Sequence, residues 1–190
     1  MSLTPWNIHR DETLADMGIF ELHSVRAENP RTGKLRDLAL VSTRDWVNVV
    51  PLTADREVVL VRQWRHGTRS MTLEIPGGLI DPGEEPKAAA AREVREETGY
   101  AGAEPAQLGV VQPNPAFLNN LCYTYLIEGC EEVGELQLDE GEDIEVVRVP
   151  LSEIPGLVAE GTIQHALVIC GFYWLRRKRP ELFDGRGEIS

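Results

Sequence analysis

The apolar run Val58-Val59-Leu60-Val61 is the strongest strand signal in the chain, and it stops abruptly at Arg62-Gln63-Trp64-Arg65-His66. Four apolar residues in succession suit a central strand covered on both faces, because a half-wet strand would alternate. The polar cluster marks where such a strand emerges, a place where ligand rims form. Around this run the pattern predicts strands over 46–52 and 57–63, joined by the turn Thr53-Ala54-Asp55-Arg56, and a short strand over 72–75. Further strands are expected at 108–112, 122–128 and 144–149. Upstream, 19–26 and 35–42 read as a hairpin about a turn containing Asn29, Pro30 and Gly33, while residues up to about 14 read as irregular. A lone hairpin buries little by itself, so this one is expected to pack on the main domain or on a second subunit. After the last strand, 152–159 reads as a short helix. A longer helix follows over 162–177, with Ile163, Ala166, Leu167, Cys170 and Tyr173 as its core stripe. The basic run at 176–179 suits the C-terminal end of that helix.

One stretch combines a helix signal with chemistry. Residues 78–100 read GLIDPGEEPKAAAAREVREETGY. Pro86 fits a first helical turn, 87–97 contains neither Gly nor Pro, and Gly99 fits a C-terminal cap. Glu93, Glu96 and Glu97 stand at i, i+3 and i+4, so three carboxylates share one face. Like charges at that spacing cost a helix roughly 0.2–0.5 kcal/mol per pair, a cost that a bound divalent cation would reverse. Alone, the three glutamates read first as a solvated acidic face, and only the spacing around them points to a site.

Composition narrows the classes. The chain has 190 residues, enough for one domain with a small N-terminal appendage, and its net charge of -12 argues against nonspecific binding to nucleic acid or to an anionic membrane. An acidic protein that handles phosphates must attract them with bound cations or a few local arginines. Cys122, Cys130 and Cys170 are an odd number without CxxC spacing, which suits reduced thiols in a cytoplasmic protein. The N-terminus carries charged residues where a signal peptide would be apolar, and the longest apolar stretch, 166–175, is too short to span a bilayer. Eight of the fifteen residues from 131 to 145 are acidic, and most of that stretch reads as solvated loop.

The spacing over 78–100 resembles the Nudix box at each of its fixed positions: Gly78, Glu84, Arg92, Glu93, Val94, Glu96, Glu97, Gly99 and Tyr100. The resemblance implies an α/β fold, an α/β/α sandwich around a mixed sheet, with the N-terminal β-hairpin as an extension. It divides the chain into an N-terminal segment over 1–44 serving as a dimerisation element, a hydrolase domain over 45–180 and a tail over 181–190. It also implies hydrolysis of a nucleoside diphosphate derivative with magnesium, or manganese, by a homodimer. Carried over by position, Glu93, Glu96 and Glu97 would hold metal, with the Gly77 carbonyl completing a coordination shell. Gly78 and Gly99 would serve the box structurally, and Arg92 and Glu84 would pair to hold its loop against the helix. The catalytic base of the ADP-ribose branch sits on an acidic loop before the final strand; here Glu142 is the first candidate and Glu140 the second.

The substrate rests on softer signals. Pro115 lies where the ADP-ribose and nucleotide-sugar pyrophosphatases carry a proline, and Glu-Ile-Pro-Gly-Gly at 74–78 resembles their approach to the box. Arg62, Arg65, Glu74, Pro115 and Phe117 are therefore the candidate substrate contacts, with arginine suited to phosphate and an aromatic ring to a base. The leading expectation is cleavage of ADP-ribose or a related nucleoside diphosphate sugar to a nucleoside monophosphate and a sugar phosphate. QPNPAF at 112–117 also partly resembles the signature of NADH pyrophosphatases, from which Asn114 and Ala116 depart, so a dinucleotide substrate stands as an alternative. A noncatalytic nucleotide-binding module is the other alternative. An RNA 5'-end hydrolase would want a basic groove.

Overall fold

The computed structural model describes residues 3–138, 141 and 143–183. These residues form two compact units, one drawn from 3–45 and 112–121 and the other from 46–111 and 122–183.

In the first unit, β1 (Asn7–Asp16), β2 (Phe20–Glu28) and β3 (Leu35–Thr43) make an antiparallel sheet in that order. The expected hairpin is thus the pair β2–β3, and the segment expected to be irregular is a strand. The pattern of β1, Asn-Ile-His-Arg-Asp-Glu-Thr-Leu-Ala-Asp, is mostly polar because the strand is exposed almost throughout, so it carries no alternation to read. The segment 112–121 joins this unit through a parallel bridge between Val41 and Leu118 and a hydrogen bond from the Val41 amide to the Phe117 carbonyl.

The second unit is built on β4 (Trp46–Leu52), β5 (Glu57–Arg65), β6 (Ser70–Glu74), β7 (Gly77–Leu79), β8 (Tyr100–Ala101), β9 (Ala106–Val111), β10 (Cys122–Glu128), β11 (Glu131–Glu132) and β12 (Ile144–Pro150). Its helices are α1 (Pro86–Thr98), α2 (Ile154–Ala159) and α3 (Ala166–Lys178). The main sheet runs β12-β5-β4-β10-β9, with β10 parallel to β4 and the other neighbours antiparallel. Alternation along the central strands sorts the core into two layers. Val47, Val49, Val59, Tyr125 and Ile127 pack with Ala89, Ala90 and Val94 of α1. Val50, Leu52, Val58, Leu60 and Leu126 pack with Val168, Phe172 and Leu175 of α3. This is the α/β/α sandwich around a mixed sheet.

Two departures shape the site. First, β4 and β5 share only the pair Leu52–Val58; beyond it β5 pairs with β6 and β4 with β7. The chain 70–79 therefore fills the wedge between two diverging central strands, and it carries Glu74 and Gly77 there. Second, the long helix starts at Ala166, four residues later than expected, and buries Leu167, Val168, Gly171, Phe172 and Leu175. Tyr173, placed in the core by periodicity, is exposed, whereas Ile163 is buried ahead of the helix in the connection from α2. The buried face is therefore rotated by about one residue from the expected stripe: Val168, Gly171 and Phe172 take the core positions assigned to Ala166, Cys170 and Tyr173, and Ala166 and Tyr173 are exposed.

Candidate active site

Pro86 opens α1 at its first turn, and Gly99 closes it at φ 72°, its N–H bonded to the Arg95 carbonyl. The buried stripe of this helix is Ala89, Ala90, Glu93, Val94, Glu97 and Thr98. Two glutamates thus occupy positions that packing alone would fill with apolar residues, and Glu97 is only 4% exposed. Burying a carboxylate is costly unless strong donors meet it.

Those donors come from the loop ahead of the helix and from Arg92. The Gly77 N–H donates to Glu97 Oε2 at 2.9 Å. At Gly78 a Cβ would stand 2.6 Å from Glu93 Oε1, so the absence of a side chain admits the carboxylate. Arg92 grips Glu84 in two-pronged fashion, Nε to Oε1 and Nη2 to Oε2, each at 2.9 Å. Its Nη2 also donates to the Leu79 carbonyl at 3.1 Å. Its Nη1 bridges Glu93 Oε1 at 2.8 Å and Glu96 Oε2 at 2.9 Å. The hydrogen bonds that Arg92 donates to Glu84 lower the Glu84 carboxyl pKa, and the same bonds lead in raising that of Arg92. The Arg92–Glu84 pair ties loop to helix.

The donor chemistry suits a hard divalent ion, since Glu93, Glu96 and Glu97 offer carboxylate oxygens on one helix face beside a loop that glycine leaves open. Among the described residues no three carboxylate, imidazole or thiol side chains converge on one point where a cation could sit. Arg92 Nη1 lies between Glu93 and Glu96 instead. The residues fit such an ion by donor type and by sharing one face of α1, with Arg92 holding two of the carboxylates together.

The acidic stretch is not free loop at its start. β11 pairs with β8. The Val133 amide donates to the Gly99 carbonyl and the Gln137 amide to the Glu96 carbonyl, both at 2.8 Å. These bonds satisfy carbonyls at the C-terminus of α1 and lash 133–137 across it. Glu140 and Glu142 lie outside the described residues.

Beside the box loop is a cavity of about 850 Å³. Its walls include Trp46, Asn48, Arg65, His66, Thr72, Glu74, Gly77, Gly78, Gln164 and His165. Glu74, expected to touch substrate, is 2% exposed at the end of β6. Arg65 Nε donates to its Oε1 at 2.9 Å and Nη2 to its Oε2 at 2.8 Å, while the Thr72 hydroxyl donates to Oε1 at 2.7 Å. Burial alone would raise this carboxyl, but the bonds from Arg65 and Thr72 and the charge of Arg65 outweigh it and lower the pKa.

The cavity does not gather all the expected contacts. Arg62, three residues before Arg65 on β5 and so directed to the other face, pairs with Glu145 of β12 at 2.8 Å. Pro115 and Phe117 belong to the other compact unit, where both are exposed. The sequence reading missed Thr72, Gln164, His165 and Asn48. Because 162–165 reads as the first turn of a helix but is a connection ahead of α3, the pattern hides Gln164 and His165. Asn48 stands inside an otherwise apolar strand, and that interruption was the available signal. Its Nδ2 is buried without a hydrogen-bond partner among the described residues, a condition rare for an amide beside a ligand-sized space.

Residues 42–172 match the model of the NUDIX domain. The chain belongs to the Nudix family, whose members are generally dependent on divalent metal, and it is a hydrolase acting on anhydrides. It is similar to the ADP-ribose pyrophosphatase of Bacillus subtilis (strain 168), 29% identical over 174 residues, which covers 88% of this chain and 94% of that enzyme. It is also similar to the ADP-sugar pyrophosphatase of Mus musculus, 35% identical over 160 residues, covering 75% of this chain and 73% of that one. Among solved structures, a crystal structure of an ADP compounds hydrolase matches with a TM-score of 0.85 at 27% identity, over 95% of this chain and 97% of that one.

Proposed function

We propose that this protein hydrolyses the diphosphate linkage of ADP-ribose or a related nucleoside diphosphate sugar, releasing a nucleoside monophosphate and a sugar phosphate, with magnesium or manganese as the metal. Relatives named for ADP-ribose, ADP-sugar and ADP compounds support the substrate class. The observation that carries the reading is the pair of buried glutamates, Glu93 and Glu97, packed against Gly77 and Gly78 beside a cavity into which Arg65 projects.

Glu93, Glu96 and Glu97, with the Gly77 carbonyl, would hold the metal. A divalent cation there would neutralise the diphosphate and acidify a water. Everything else falls to the chain's own groups. Arg65 supplies a planar donor fork suited to a phosphate. Arg92 keeps Glu93 and Glu96 in register, and the Gly77 amide does so for Glu97. Glu142, or Glu140, accepts the proton of the attacking water as the water oxygen bonds to phosphorus and the bridging P–O bond breaks, its electron pair leaving on the departing phosphate.

We further propose a cytoplasmic homodimer in which the three-stranded unit supplies contacts. Ile8, Leu14, Met17, Ile19, Leu35 and Leu38 are exposed on it, apolar side chains of which a partner copy would cover a part. Three free cysteines suit a reducing compartment. Light scattering on a sizing column reads the dimer, and a monomeric mass at micromolar concentration would refute it.

The activity is tested with a panel of ADP-ribose, ADP-glucose, UDP-glucose, NADH and triphosphorylated RNA, each with magnesium and then manganese. Release of AMP and ribose 5-phosphate from ADP-ribose is the expected outcome. Turnover of NADH alone, or binding without any product, would overturn it.

A further inference from the structure

One buried carboxylate lies beneath two basic side chains that enter the cavity from different elements. Glu74 is 2% exposed. Arg65, from the end of β5, holds both of its oxygens, and His165, from the connection ahead of α3, brings Nδ1 to 3.9 Å from Oε2. Thr72 fixes Oε1 from the same strand at 2.7 Å. The carboxylate is enclosed but its partners are not: the side chains of Arg65 and His165 are 44% and 41% exposed, and both line the cavity.

We propose that Glu74 is a positioning residue that sets Arg65 and His165 as the two sides of a clamp for an anionic diphosphate, and that it does not touch the substrate. The proposal rests on the hydrolase reading above. An ionised carboxylate facing a phosphate would repel it, and here Arg65 is interposed with both carboxylate oxygens turned to its fork. A long arginine left unpinned would have to be ordered by each incoming ligand, whereas a guanidinium held along one edge keeps a fixed orientation. Thr72 locks the carboxylate that does the holding. A glutamate serving only to staple β5 to β6 would stabilise the hairpin equally well with no cavity beside it, so the test must read ligand affinity and not stability alone.

The test compares Glu74→Gln, Arg65→Lys and the double variant in the full chain, by KM and kcat for ADP-ribose with magnesium and by calorimetry of ADP binding in EDTA. Glu74→Gln keeps the size of the side chain and its acceptor for Thr72. It is expected to raise KM and weaken ADP binding by about tenfold or more, with kcat within about threefold, the pattern of a lost charge-assisted contact shared by ground and transition states. Because both residues act through one guanidinium, the double variant should be no more than about twofold weaker than the worse single variant. Unchanged ADP binding in Glu74→Gln would overturn the proposal, as would effects that multiply in the double variant. If Glu74→Gln fails to fold, Arg65→Lys decides alone, since wild-type affinity without the planar fork would contradict the clamp. A wild type that binds ADP but leaves ADP-ribose intact would overturn the hydrolase reading while the binding comparison still judges the clamp, and one that does not bind ADP would overturn the clamp.

Discussion

The backbone amide of Gly77 and the carboxylate of Glu97, 20 residues apart, are joined by a hydrogen bond of 2.9 Å. That bond ties the chain in the wedge between β4 and β5 to the buried stripe of α1. Neighbouring Gly78 admits the Glu93 carboxylate through space that a side chain would fill.

The two glycines should therefore fail differently when each is changed to alanine. At Gly77 a Cβ would run into the Val47 carbonyl and Asn48, which are backbone and strand, so Gly77→Ala is expected to lower stability by about 1–3 kcal/mol. At Gly78 its nearest neighbours would be the carboxylate atoms at the tip of the Glu93 side chain rather than backbone, so Gly78→Ala should unfold near the wild-type temperature yet lose about 10–100-fold in turnover. Thermal unfolding alongside kcat separates the two, and equal loss of stability would contradict the distinction.

Gly99 has a double requirement. It sits at φ 72°, and a Cβ there would strike the Gly134 carbonyl in the segment lashed over the end of α1. Gly99→Ala should cost about 1–3 kcal/mol in a denaturant titration. A cost below about 0.5 kcal/mol would mean that this segment yields freely.

Arg92→Lys tests whether charge or shape holds the box. Lysine keeps the charge but cannot reach Glu84 with two prongs while also meeting Leu79, Glu93 and Glu96. A loss of about 1–3 kcal/mol is expected. Full retention of stability by the lysine variant would show that a point charge suffices.

Acid should weaken the fold through Glu74 and Glu84. Bonds from Arg92 lower the Glu84 pKa, and bonds from Arg65 and Thr72 lower that of Glu74 against the opposing effect of burial. A depressed carboxyl stabilises the fold above its ordinary value of 4.5, and the contribution disappears as pH falls through the lower folded value. Urea midpoints should thus hold steady from pH 8 to about 6 and decline below the ordinary glutamate range, less steeply in Glu84→Gln. An equal slope in that variant would remove Glu84 from the account.

How far the chain could be read in advance follows from how local each signal is. The α1 start, its glycine cap and the box spacing are encoded within 23 residues, and the strand over Val58–Val61 announces itself by apolar continuity. The exposed strand β1 has almost no burial pattern, so nothing in its composition separates it from a loop. The bond from Arg65 to Glu74 depends on β5–β6 register, which brings Arg65 opposite Ser70 and Gln63 opposite Thr72. His165 reaches Glu74 across 91 positions of sequence, a contact that no periodicity announces. Arg62 shares β5 with Arg65 but lies on its opposite face, a consequence of strand parity that residue chemistry does not reveal.

The most direct test of the central claim is turnover of ADP-ribose by Glu97→Gln at saturating magnesium, with circular dichroism to confirm the fold. A folded variant slowed by at least about a hundredfold, as loss of a metal ligand requires, is the expected result. A folded variant that turns over near the wild-type rate would contradict the assignment of the α1 carboxylates to the metal.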